Sequence, residues 1–235
     1  MSEAGVLEAM VDEREDVATT GTTDSPAFDT ESPIRSEPLS FSLWIDAVGG
    51  YLIVPSDQVV VGQADPEVPA DIPIVADLSG AHLTIVRGRD GYHVVPQGPV
   101  SIGDRRLTGP EALVSGDVLT LSGGVKLRFE RPHPLSASAR LTFVSRHRTR
   151  PWSDGIVLMG ESCLLGPHDR DHVKCRGWAA ELVLHRRDGE LGARYPEPIE
   201  VDGITGSGTV RLGERSRVIG PDFSFSLEPI ERGKS

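Results

Sequence analysis

From Phe41 onward the apolar and polar positions alternate in short runs that turn signals interrupt: FSLWI, YLIV, QVVVG, AHLTIV, YHVV, VLTL and VKLRFE. His82-Leu83-Thr84-Ile85-Val86 alternates, and Lys126-Leu127-Arg128-Phe129-Glu130 alternates strictly. A period of two marks a strand with one buried and one solvated face, so Leu127 and Phe129 are expected to face a core. The first of these runs closes on Asp90-Gly91, a turn signal.

The order of the runs then recurs. YLIVPSDQVVVG is echoed by IVLMGESCLLG, AHLTIVRGRDG by AELVLHRRDG, and VKLRFERP by FSFSLEP. Glu130 and Glu228 are 98 positions apart, as are Gly91 and Gly189, whereas Gly62 and Gly166 are 104 apart. The second copy therefore has a shorter loop between its Gly and its Asp-Gly turn, a change that surface loops absorb at little cost. The pattern predicts an all-β chain with two tandem β-sandwiches, residues 41–132 and 138–230. They are joined by PHPLSAS, whose prolines favour an extended connector. Gly at 26 positions, Pro at 18 and aromatics at 5% fit many turns and modest strands.

Residues 1–40 have another texture. They hold ten acidic residues against Arg14 and Arg35, a net −8 of the chain's −11. With few large apolar groups to offset ordering entropy, the segment is expected to be a disordered acidic tail. Val6, Leu7, Met10 and Val11 lie at helical spacing, which fits either a short helix formed against a partner or a fraying solvated turn. The remaining residues sum to −3, too little for a nucleic-acid footprint. No apolar run reaches the ~20 residues of a membrane span, two cysteines build no disulfide framework, and the acidic N-terminus lacks the features of a secretory signal. A cytoplasmic protein that binds neither nucleic acid nor membrane is the expectation.

Candidate chemistry is sparse. There is no G-x-S-x-G, no G-x-x-x-x-G-K-[ST] and no H-E-x-x-H, so neither a catalytic residue nor a cofactor is assigned and the chain is expected not to be an enzyme. Cys163, His168, His172 and Cys175 form C-x4-H-x3-H-x2-C, the residue set zinc takes, at a spacing that matches no knuckle or ribbon. No metal site is assigned to them, and zinc stays an alternative. Arg140, Arg146, His147, Arg148 and Arg150 make a local basic run, either a solvated turn or a meeting point for the acidic tail or an acidic partner.

One ordered set of marks remains in the first unit: Gly62, then Asp71-Ile72-Pro73, then Ser79-x-x-His82, then SIGDRRL and SGDVLTL. In this order the unit resembles the forkhead-associated (FHA) domain family, and the second unit is similar to a degenerate FHA-like repeat. The resemblance implies β-sandwiches whose loops bind phosphothreonine peptides, with Gly62 and His82 structural and Gln63, Ser79, Gly80, Gly103, Arg105 and Arg106 around the ligand. Typical members carry Gly-Arg where this chain has Gly62-Gln63, Ser-Arg-x-His where it has Ser79-Gly80-Ala81-His82, and Asn-Gly where it has Gly103-Asp104. A phosphate is best held by charge-assisted donors, and Gln63 offers only a neutral amide. Ser79 is then either a hydroxyl donor to phosphate or loop scaffold. His82 is read as architectural, and Arg105 and Arg106 as a displaced source of positive charge or a solvated hairpin shoulder. In the second unit Glu181 stands where His82 does, Trp178 where Ser79 does and Pro167 where Gln63 does, so that copy is expected to be structural, with Asp202-Gly203 keeping the turn.

The expected function is a non-catalytic interaction module that engages a protein partner, threonine-phosphorylated in one version. The alternative is a structural or assembly protein that binds no phosphopeptide. Thr19, Thr20, Thr22 and Thr23 in acidic surroundings suit an acid-directed kinase, so a phosphorylated tail folding back on the first unit is a further expectation.

Overall fold

The computed structural model describes residues 40–68 and 70–230. The acidic tail, with the helical spacing of Val6, Leu7, Met10 and Val11 and the four threonines, lies outside the described residues. Among the described residues the regular structure is strand, apart from one 3-10 turn at Ser122–Gly124, and no helix is long and apolar enough to cross a membrane. The fold is the expected all-β sandwich type.

The first half supplies β1 (Phe41–Ile45), β2 (Gly49–Val54), β3 (Gln58–Gln63), β4 (Ile72–Ile74), β5 (Leu83–Gly88), β6 (Gly91–Pro96), β7 (Val100–Ile102), β8 (Arg105–Arg106), β9 (Glu111–Leu113), β10 (Val118–Leu121) and β11 (Lys126–Glu130). The second supplies β12 (Ala139–Phe143), β13 (Gly155–Leu158), β14 (Ser162–Gly166), β15 (Val173–Lys174), β16 (Leu182–Arg187), β17 (Glu190–Val201), β18 (Ile204–Leu212), β19 (Arg217–Ile219) and β20 (Ser224–Pro229). Alternation translates directly into burial: Leu127 and Phe129 are fully buried while Lys126 and Arg128 between them are exposed.

These strands make two sheets. One has five strands in the order β4-β3-β5-β6-β9. The other has fifteen, running β15-β14-β16-β17-β19-β20-β1-β2-β13-β12-β11-β10-β7-β8, with β18 against β17. The long strand β17 explains how one sheet serves both layers of the second sandwich. Its first half pairs with β16 and its last residues with β19, across an irregularity between Tyr195 and Ile199 where the register with β18 shifts. Such a bulge bends a strand and lets it change layers.

The middle of the long sheet contains an exchange. The repeat makes β1 the counterpart of β12, and β11 that of β20. A self-contained unit would place β1 on β11 and β12 on β20. Instead β1 pairs with β20, Leu43 opposite Leu227, and β12 pairs with β11, Leu141 opposite Phe129. Each opening hairpin therefore lies in the other unit's sheet, and the two hairpins meet where β2 and β13 pair in parallel. That pairing joins residues 104 positions apart, Leu52 to Ile156 and Ile53 to Val157.

Two-sided burial accounts for this. Leu52, Val54, Ile156 and Leu158 enter the core of the first sandwich, while Ile53, Val157 and Met159 enter that of the second. β2 and β13 thus form a common wall, which needs apolar residues on both faces, and both carry unbroken apolar runs. The cores consequently do not divide at the connector: Leu43 and Ile45 belong to the second, Ala139 and Leu141 to the first. The connector is itself tied down. Tyr92 Oη donates to Ala137 O at 2.6 Å, and the buried Ser138 Oγ donates to Ser162 O and accepts from Gly160 N.

Candidate functional site

At one end of the five-stranded sheet, the segments between β3 and β5 and between β6 and β7 converge on His82. The ring is buried, 1% exposed. Its Nε2 lies 3.1 Å from Pro99 O, which can only accept, and 3.5 Å from the Ser122 amide; the shorter contact, with the Ser79 amide aimed at Nδ1, puts the proton on Nε2 and leaves Nδ1 to accept. Two donors share the Nδ1 lone pair, the Ser79 amide at 3.3 Å and the Ser79 hydroxyl at 3.2 Å. The His82 carbonyl accepts from the amides of Gln97 and Gly98, and its amide donates to Val61 O. His82 is thus the brace for two loops, as its position three residues after Ser79 implies.

The glycines belong to the same construction. A Cβ on Gly62 would lie 1.6 Å from Gly80 O, and one on Gly98 would lie 2.4 Å from the His82 ring. Gln63 N donates to Ser79 O, so the β3 end and the Ser79 loop are linked backbone to backbone. Val68, from the loop after β3, lies over Gly80. Gln63, Ser79, Gly80 and His82 are therefore one cluster, with Ser79 at its exposed tip and Gln63 half-buried beside it.

Gly103, Arg105 and Arg106 stand apart. Pro99, just before β7, touches His82, whereas Gly103 follows the end of that strand, about 13 Å further on at ~3.3 Å per residue. Gly103 turns the β7–β8 hairpin at φ +56° with nothing within 4 Å of a Cβ. Arg105 is spent on Glu111 at 3.0 Å, and its guanidinium holds the Glu111 carboxyl below the ordinary carboxylate range. The loop that reaches His82 is Gln97–Pro99, which sequence reasoning passed over, although a Gly-Pro pair between two strands was a visible signal.

Positive charge arrives by another route. The loop from β12 to β13 lies along β4: Ile74 pairs with Thr149, Val75 N donates to Arg148 O, and Arg150 N donates to Pro73 O. Thr149 is buried, and Arg146, Arg148 and Arg150 alternate with it as exposed residues. Among the described residues none of these three guanidiniums forms an ion pair. Arg140, by contrast, is engaged by Glu130 at 2.8 Å. The hairpin exchange thus sets the second unit's arginines beside the strand that leads into the Ser79 loop.

The corresponding end of the second sandwich differs as its residues imply. Trp178 stacks on Phe223 at 4.2 Å in place of an exposed serine. Cys163 and Cys175 are both buried in the second core. Burial pushes both thiols up, Cys175 to about 12. His172 is fully buried, its Nδ1 accepts from Leu164 N, and burial pushes it down to about 4. The four residues of the C-x4-H-x3-H-x2-C set do not converge. His168 instead joins Asp171 and Glu181. Burial and the neighbouring Asp171 carboxylate raise the Glu181 carboxyl above its ordinary range.

An open cleft of about 270 Å³ lies on the outer face of β11, β12 and β13, walled among others by Tyr51, Glu130, Arg140 and Asp154. Its carboxylates are already engaged, Glu130 by Arg140 and Asp154 by the Gly50 amide. No family model matches the chain, and no curated protein or solved structure matches it either.

Proposed function

We propose that the chain is a non-catalytic protein-interaction module that takes a threonine-phosphorylated peptide at the Ser79 end of its first sandwich. The observation that carries the proposal is the seating of the Arg146–Arg150 loop on β4 and Val75, with three exposed guanidiniums free of carboxylate partners among the described residues. A phosphothreonine brings close to two negative charges and three acceptor oxygens, which call for donors of this type. Gln63 provides no such charge, so the arginines of the exchanged hairpin take that part. Ser79 contributes its exposed hydroxyl. When a ligand oxygen takes its hydroxyl proton, its amide still satisfies His82 Nδ1, so no buried acceptor is orphaned. The close approach of Gly62 to the Gly80 carbonyl and of Gly98 to the His82 ring keeps the loop in place while this happens.

Screening the full chain against matched libraries of phosphothreonine and plain threonine peptides tests this. Saturable binding that requires the phosphate and weakens in Ser79→Ala is expected. Equal binding of both libraries, or none of either, would leave the assembly-protein alternative standing.

A further inference from the structure

The segment that precedes β15 runs close to the start of β16, and three side chains with metal-ligating atoms meet there. The donor atoms of His168, Asp171 and Glu181 lie within 4.8 Å of one another. Asp171 is 0% exposed. Its Oδ2 accepts from the His168 amide at 2.7 Å and lies 3.4 Å from His168 Nδ1. Its Oδ1 is buried with no hydrogen-bond partner, and Glu181 Oε2 is in the same condition. Arg170 Nε pairs with Glu181 Oε2 at 3.8 Å, beyond hydrogen-bonding reach and from a side chain more than half exposed.

Two buried, unsatisfied carboxylate oxygens on neighbouring side chains are costly, because an ionised carboxylate only accepts and burial removes the water that would donate. A bound cation removes that cost in one step. Gly166 makes the room: a Cβ there would lie 2.6 Å from Asp171 Oδ2 and 3.1 Å from the Glu181 Cα. We propose that His168, Asp171 and Glu181 form a binding site for one divalent transition-metal ion, of which zinc is the best match. An imidazole suits zinc, copper, iron or nickel, and carboxylates tolerate them, whereas magnesium and calcium prefer oxygen alone. Three protein ligands leave a tetrahedral ion one position for water. The ion would pin the loop before β15 to β16, two segments that the β14 pairings already bring together. Its place on the second sandwich separates it from the Ser79 loop, so neither proposal depends on the other.

Titrating the full chain, first stripped with a chelator, with Zn²⁺ by calorimetry and with Co²⁺ by absorption tests the site. His168→Ala is the primary variant because that side chain is half-exposed and the fold does not rest on it; Glu181→Gln keeps the shape of the second. One ion per chain is expected, with a nitrogen and oxygen type cobalt spectrum, a rise in unfolding temperature on adding zinc, and affinity reduced at least about tenfold in both variants. Absence of saturable binding would overturn the proposal and leave a proton shared by the carboxyl pair as the account of the orphaned oxygens. Undiminished binding in either variant, or a thiolate-to-cobalt charge-transfer band from Cys163 or Cys175, would overturn it equally.

Discussion

Leu43 sits directly opposite Leu227, so a residue near the start of the first unit is a core residue of the second. A mutation there should be felt at a distance in sequence. Leu43→Ala deletes a fully buried side chain and is expected to cost about 2–5 kcal/mol. The loss of protection in native-state hydrogen exchange should fall on amides of β16 and β17, in the second sandwich, more than on β5 and β6. The opposite distribution would mean that β1 serves its own unit.

How far the sequence carried the structure depended on what each residue records. Alternation placed β5 and β11, because each has one wet face, and the Asp-Gly signals placed the turns between β5 and β6 and between β16 and β17. The repeat spacing was legible too, and it reappears as the parallel register of β2 on β13. What alternation cannot record is which of two similar edges a strand joins: β11 and β20 carry like patterns, and β1 and β12 suit either. The unbroken runs Leu52-Ile53-Val54 and Ile156–Met159 did carry the missing information, since only a strand with cores on both sides needs apolar residues at every position. At the site, Gln63, Ser79, Gly80 and His82 were placed together by their order in the chain. The arginines of the exchanged hairpin come to lie beside β4 through tertiary pairing that no local pattern encodes.

Two glycines of the first unit should respond differently to the same change. In Gly62→Ala the new methyl group meets the Gly80 carbonyl, a backbone atom that cannot swing away, so a loss of about 3 kcal/mol or more and a disordered Ser79 loop are expected. Gly103→Ala meets nothing within 4 Å and incurs only the left-handed φ, about 1–2 kcal/mol. Denaturant midpoints would rank the two, and equal costs would show that Gly62 is not in close contact with Gly80.

Tyr92 ties the five-stranded sheet to the connector and should give stability a pH dependence of its own. Burial raises its phenol above the ordinary value, and its Oη–H is donated to Ala137 O. The native state therefore holds this proton more tightly than the unfolded chain does. The Tyr92 contribution is present in full below pH ~10 and is lost as pH rises through the raised native value. Tyr92→Phe keeps the tilted contact with Phe129, loses the hydrogen bond, and should cost about 1 kcal/mol at neutral pH. Unfolding curves at successive pH values should show the gap between wild type and variant shrinking above pH ~10. A gap that widens would contradict this account.

The basic hairpin separates binding from stability most cleanly. Arg146, Arg148 and Arg150 are exposed and without ion pairs among the described residues, and the contacts that seat the loop on β4 use backbone atoms. Replacing all three by alanine should thus leave stability within about 0.5 kcal/mol of wild type. Phosphopeptide affinity should nevertheless fall by about 10–100-fold, because a hydrogen bond to a charged group is worth roughly 1.5–3 kcal/mol. Wild-type affinity should also weaken as salt is raised, since these charges are solvent-facing, and the triple variant should lose most of that salt dependence. Titrations of one peptide at several ionic strengths would decide it. Retained affinity with an unchanged salt slope would place the phosphate elsewhere on the sandwich.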